Sequence, residues 1–140
     1  MDRATATAGL KVVAATPAWC VARGEHVYVV VLDGVIDNAA STAWQRAAGD
    51  DLRAHGFPRF GLVVSLTGTS ETTLGNRMTT AGFTRNVAAA MQKLVIVANT
   101  HQSFVIHSIM RVAGIANVRF VAPADAPAVM AALGAGTEPH

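Results

Sequence analysis

Cysteine, aromatic residues and charge are all scarce in this chain. Cys20 is the sole cysteine among 140 residues, which excludes an internal disulfide and makes a reducing cytoplasm the expected setting. Aromatic residues make up 6%, so the core must be built mostly from Val, Ile, Leu and Ala. Charged residues make up 14%, eleven basic against nine acidic. Lys11 and Lys93 are the only lysines, and no basic run occurs. A nucleic-acid binder concentrates positive charge on one face, so nucleic acid is not an expected partner. Long apolar runs are missing too. Val27–Leu32 is the longest strongly apolar one, far short of the ~20 residues a membrane helix needs. Residues 1–5 lack an apolar stretch of signal-peptide length, which fits the same cytoplasmic expectation.

Chemical motifs are equally thin. The five histidines are dispersed. His101 and His107, six apart, fall on different helix faces, whereas zinc needs three or four converging ligands. No metal or other cofactor is expected. Cys20 has no motif partner and reads as a buried, inert thiol. No nucleophile elbow is present, and Gly61 and Gly68 lack the spacing of a dinucleotide-binding loop. Asp50 and Asp51 are adjacent on a helix and read as solvated charges. No catalytic residue is assigned, and the chain is not expected to be an enzyme.

What the chain does have is alternation. Its 51% hydrophobic content and its length predict one domain able to bury about two thirds of its unfolded surface. Residues 1–9 are small and polar and are expected to fray. Residues 10–14 and 19–22 read as short strands, and His26–Leu32 as a central strand covered on both faces. Asp37 or Asn38 caps a helix whose apolar positions are Ala40, Ala43, Trp44, Ala47, Ala48 and Leu52. Gly56 and Pro58 stop it. Then come a strand over 60–65, a hydroxyl-rich loop over 67–73, a helix over 74–91, a strand over 94–97, a helix over 104–113, a strand over 118–121 and a helix over 125–133. Gly134–His140 reads as a flexible tail. Antiparallel opening strands followed by alternating helices and strands predict an α/β fold of four to six strands, mixed but mostly parallel, with four or five helices. The predicted core includes Val29, Val31, Leu62, Val64, Leu94, Ile96, Ile109 and Val112.

In such a fold, binding groups gather where strands end and helices begin. That edge carries Thr67, Thr69, Ser70, Thr72 and Thr73. These hydroxyls could hold an anion at a helix N-terminus or accept a phosphate. They could equally be the ordinary Ser and Thr of a capped surface turn. Arg77 and Arg85, on the following helix, are the candidate partner contacts, with exposed helix charges as the plainer reading. Ser103, His107 and Arg111, four apart, form a polar helix stripe.

Three segments, Val29–Gly34, Leu62–Gly68 and Lys93–Ala98 with the helix after it, carry a resemblance over residues 10–133. The chain resembles the STAS family, the anti-sigma-factor antagonist and sulfate-transporter domain, and more closely the small bacterial STAS-like domains similar to the CRAL-TRIO lipid-binding fold. In antagonists of that family an Asp-Ser-Ser-Gly motif comes after the strand matching Leu62–Leu66, and its Ser is phosphorylated by a partner kinase. Here that motif is absent. Ser65 stands where the strand often ends in Asp, and Thr72 and Thr73 lie closest to the phosphoacceptor position. The resemblance implies a non-enzymatic regulatory or protein-interaction module, an anti-sigma-factor-antagonist type of partner switch without the usual phosphoacceptor motif. A carrier of lipid or another small apolar ligand is the alternative it implies, and a self-assembling structural subunit is a third. The expected partner is accordingly a regulatory protein, a second copy of the chain or a small apolar ligand.

Overall fold

The computed structural model describes residues 3–56, 59–72, 91–99, 102 and 118–134. The elements are α1 (Arg3–Thr7), β1 (Lys11–Ala15), β2 (Trp19–Arg23), β3 (Val27–Ile36), α2 (Asn38–Ala54), β4 (Phe60–Thr72), β5 (Met91–Val97), β6 (Val118–Val121) and α3 (Ala126–Gly134). The six strands form one sheet in chain order. β1, β2 and β3 pair antiparallel, and β3, β4, β5 and β6 pair parallel. The mixed, mostly parallel α/β class therefore holds. Three helices lie among the described residues. The helix expected over 104–113 and most of that over 74–91 fall outside them, as do Ile109, Val112, Ser103, His107 and Arg111. Met91, expected to end a helix, instead opens β5.

Strand residues alternate between two apolar layers, as a pleated sheet covered on both faces requires. Tyr28, Val30, Leu32, Leu62, Val64, Leu94 and Ile96 pack with Trp44, Ala48 and Leu52 of α2. Val27, Val29, Val31, Val63, Val95, Val97 and Cys20 form the other layer, with Ala6 of α1 and Ala126 and Val129 of α3. All six described members of the predicted core are at most 3% exposed.

Helix α2 begins at Asp37, whose carboxylate accepts the Ala40 amide at 2.8 Å. It ends at His55, with Gly56 in the left-handed region at φ +69°. There Gly costs nothing that a side chain would. Its buried stripe is Ser41, Trp44, Ala48 and Leu52. Ala43, expected inward, is exposed. The stripe is turned toward Ser41, a residue that hydropathy cannot place inside but whose Oγ accepts from Gln45 at 2.8 Å.

Residues 3–7, inside the stretch expected to fray, form a short helix packed through Ala6, 1% exposed. One expectation is corrected. Asp51 is not a solvated charge: its side chain is 13% exposed. It accepts the Tyr28 hydroxyl at 2.5 Å. It also stands 2.9 Å from Arg23 Nε, a charge contact outside hydrogen-bond alignment. Asp51 thus ties α2 to β2 and β3. Burial, then the bond and charge of Asp51, push the Tyr28 hydroxyl well above the ordinary tyrosine range.

Two outcomes are expected. Ile96, 2% exposed on β5 between β4 and β6, should lose about 2–5 kcal/mol on replacement by Ala, from lost burial plus a residual cavity. A denaturant melt showing under about 1 kcal/mol would make β5 peripheral. Tyr28 is the only tyrosine of the chain, so ultraviolet titration reads it alone. A pKa raised in the folded state means that the native protein holds its proton longer than the unfolded chain. Stability is therefore fully present below the unfolded tyrosine value of about 10 and falls as pH rises above it. Tyrosinate absorbance should stay flat through pH 10 and rise together with the loss of circular dichroism. A normal titration near 10 in the folded protein would remove Asp51 from this role.

Candidate functional site

The carboxyl ends of the four parallel strands meet at one edge of the sheet. Its centre is the pairing of β3 with β4. From Val27↔Gly61 to Val31↔Ser65 the register is regular, then it slips between Val31 and Asp33 and again between Gly34 and Val35. At each slip β4 carries one residue more than β3. Such insertions bend a strand and re-aim its side chains, and they collect beside functional sites. Beyond Ser65↔Val97 the register with β5 ends, while β4 continues beside β3 to Ile36↔Thr72.

The segment read from sequence as a loop is therefore strand through Thr72. Thr is β-branched and suits a strand as well as a turn, and pairing with β3 decides the matter. Thr67 and Thr69 are half-buried, and Thr67 Oγ1 lies 3.4 Å from the Oγ of the fully buried Ser65. Ser70 sits at the second insertion, and Thr72 pairs with Ile36. Thr73, Arg77 and Arg85 lie outside the described residues.

Four groups that sequence reasoning did not place here shape the edge. Asp33 accepts Arg3 Nη2 at 2.7 Å, with both side chains about one-third exposed. Arg3 also donates to the carbonyls of Thr16 and Pro17, at 2.8 and 3.2 Å. Gly68 pairs with Asp33, and a Cβ on it would collide with Asp33 Oδ1 and come within 3.2 Å of the Leu32 carbonyl. Glycine is required by close approach, not by its φ. Finally, Asn99 and Gln102 form a reciprocal cap. Gln102 N donates to Asn99 Oδ1 at 2.9 Å, and Asn99 N donates to Gln102 Oε1 at 3.1 Å.

The amide of Gln102 does a second job. Its Nε2 donates to the Leu66 carbonyl at 2.8 Å and to Thr69 Oγ1 at 3.0 Å, while Thr69 Oγ1 donates to the same carbonyl at 2.7 Å. One side chain after β5 thereby braces the bulge of β4. Nothing in the sequence announces the reach of Gln102 across to β4, and nothing joins Arg3 to Asp33, thirty residues apart. Among the described side chains of this edge, Asp33, Thr69, Asn99 and Gln102 are engaged with their neighbours, which braces its shape. Among the described residues no group of three or more His, Cys, Asp or Glu is placed to hold a metal, and no helix is long and apolar enough to cross a membrane.

The whole arrangement matches a known fold. A crystal structure of a protein of the DUF3478 family from Shewanella loihica, described as having a SpoIIAA-like fold, aligns with 89% of this chain and 94% of its own. The TM-score is 0.60 at 12% identity. The chain thus has a SpoIIAA-like, that is STAS-like, fold. A structure described as Mglu overlaps 57% of this chain at 22% identity and a TM-score of 0.48. The match spans 19% of that protein's length. No family model matches the chain, and no curated protein does.

The fit of Gly68 against Asp33 is open to test. Gly68→Ala should destabilise by about 1–3 kcal/mol, the usual cost of overpacking. In an Asp33→Ala background the penalty should fall by half or more, because the colliding carboxylate is gone. Equal penalties in both backgrounds, read from urea melts, would mean that the Leu32 carbonyl rather than Asp33 sets the limit.

Proposed function

We propose that the chain is a non-enzymatic regulatory or protein-interaction module that docks its partner on the carboxyl edge of the sheet, around Asp33–Ile36 and Leu66–Thr72. The observation that carries this reading is the doubly bulged β3–β4 extension braced by Gln102. It supports a preformed shape whose polar groups are tied to one another, which suits recognition better than turnover. The SpoIIAA-like fold is compatible with a partner switch of the anti-sigma-factor-antagonist type. Thr72, with Thr73, is then the residue nearest in sequence to where a phosphate would act. A phosphate there adds about −1.5 to −2 charges, enough to repel an acidic partner surface.

A second reading, a carrier of a small apolar ligand, is favoured by one feature. A half-open cleft of about 280 Å³ runs between α1 and α3 over β3, lined by Ala6, Leu10, Val27, Val29, Pro127 and Met130 among others. Pockets that hold small molecules are of this order and are mostly apolar.

The two readings separate cleanly. Native mass spectrometry of freshly purified protein should show either the bare chain, alone or with a protein partner, or an added mass of a few hundred daltons for a retained ligand. For the docking surface, Thr72→Asp and Thr73→Asp should weaken capture of partners from the source cells at least fivefold while leaving the melting temperature nearly unchanged. Equal recovery by wild type and both variants would move the working surface elsewhere. Alanine-sensitive hydrolase or transferase turnover would overturn the non-enzymatic assignment.

A further inference from the structure

Helix α1 is held in place in an unusual way. It has five residues, far below the length at which a helix is stable alone. Its one buried residue is Ala6, whose single methyl brings little apolar area to the sheet. The cleft beside α1 leaves its flank toward α3 open, with Thr5, Ala6 and Ala8 on one side and Pro127, Met130 and Ala131 on the other. Against this sparse packing stands a concentrated polar anchor. Arg3 makes three contacts at the far end of the helix: the Thr16 and Pro17 carbonyls of the β1–β2 turn, and the Asp33 carboxylate. The anchor is local and charged, and the apolar contact is small.

We propose that α1 is a releasable strap, latched by Arg3 to Asp33 and the β1–β2 turn. Opening it uncovers the β2–β3 part of the apolar face without unfolding the sheet. The latch carboxylate is the residue whose other oxygen abuts Gly68, so it belongs at once to the strap and to the carboxyl edge. A cationic group that takes Asp33 at that edge competes directly with Arg3 and frees the strap. The strap is independent of the docking role proposed above, because its release is measured with no partner present.

Cys20 is the reporter. It is the sole cysteine, is 1% exposed, and shares the apolar cluster of Ala6. Arg3 and Asp33 act on its thiol in opposite senses, Arg3 favouring the thiolate and Asp33 disfavouring it, with burial the larger influence against it. Direct electrostatics alone therefore make Arg3→Ala label more slowly and Asp33→Asn label faster. Release of the strap makes both faster.

The experiment tracks the rate at which dithionitrobenzoate modifies the intact chain, for wild type, Arg3→Ala and Asp33→Asn, across urea concentrations below the unfolding transition. Both variants are expected to label about fivefold to tenfold faster than wild type, the range for losing a partly exposed, charge-assisted contact. The urea dependence of labelling should be shallow, since a local opening exposes little surface. Three results would overturn the strap: an unchanged rate in Arg3→Ala, opposite changes in the two variants, or acceleration with the full urea slope of global unfolding. The last would make Arg3 an ordinary contributor to overall stability.

Discussion

The parallel pairing of β3 with β4 is the constraint on which the rest of the structure depends. It joins the antiparallel half of the sheet to the parallel half, so both apolar layers depend on its register. A shift of one residue along either strand would send Val29, Val31 and Val63 to the α2 side and Tyr28, Val30 and Leu62 away from it. The regular stretch from Val27 to Val31 fixes that register where burial is complete. The two insertions come after it, where the edge opens. The irregularity thus follows the regular pairing, and Leu66 within the first insertion and Ile36 beyond both remain buried in the α2-side cluster.

The two faces of the sheet are not equivalent, and the difference sets how each is covered. The α2 side carries Trp19, Tyr28, Trp44, Leu52, Phe60, Leu62 and Leu94, with Tyr28 and Phe60 edge to face at 5.3 Å between ring centres. Large, interlocking side chains and the Asp51 contacts hold α2 firmly. The opposite side is mostly valine, with alanine and Cys20. Valine stands close to the sheet and offers shallow relief, so helices settle on it through small residues such as Ala6 and Ala126. Among the described residues the helices on this side meet the sheet through small side chains, a cleft lies between α1 and α3, and a charged residue has a large share in holding α1.

Much of the frame was legible because it rests on burial. The near-continuous apolar runs at 27–32, 60–64 and 94–97 could only be covered strands, and Asp37 with Gly56 bounded α2 by local chemistry alone. The features that escaped the sequence rest on pairing at a distance. Thr67–Thr72 reads as a turn because hydroxyl residues bond their own backbone. Alignment beside Asp33–Ile36 makes it strand, and that information lies in β3 rather than in the segment itself. Asp51 looked solvated because its partners, Tyr28 and Arg23, come from strands more than twenty residues earlier. At the candidate site only the hydroxyls were visible. The groups that brace them, Gln102 and Asp33, become meaningful once the strand ends are brought together.

This division bears on where the fold is free to change. The sheet interior tolerates little, since neighbouring strands leave no room for a different register. The carboxyl edge is built differently, from backbone carbonyls and short polar side chains that satisfy each other. Leu66 O is a clear case. Drawn out of line by the bulge, it takes hydrogen bonds from both Thr69 and Gln102. A buried or half-buried carbonyl without a partner would cost more than the bulge could return, so Gln102 is a condition for β4 to deviate at all. The shape of the edge is therefore set by a residue beyond the end of β5. A substitution at Asn99 or Gln102 would be felt at β4 before it reached the core, which is the arrangement expected of a surface whose geometry can be altered while its scaffold stays constant.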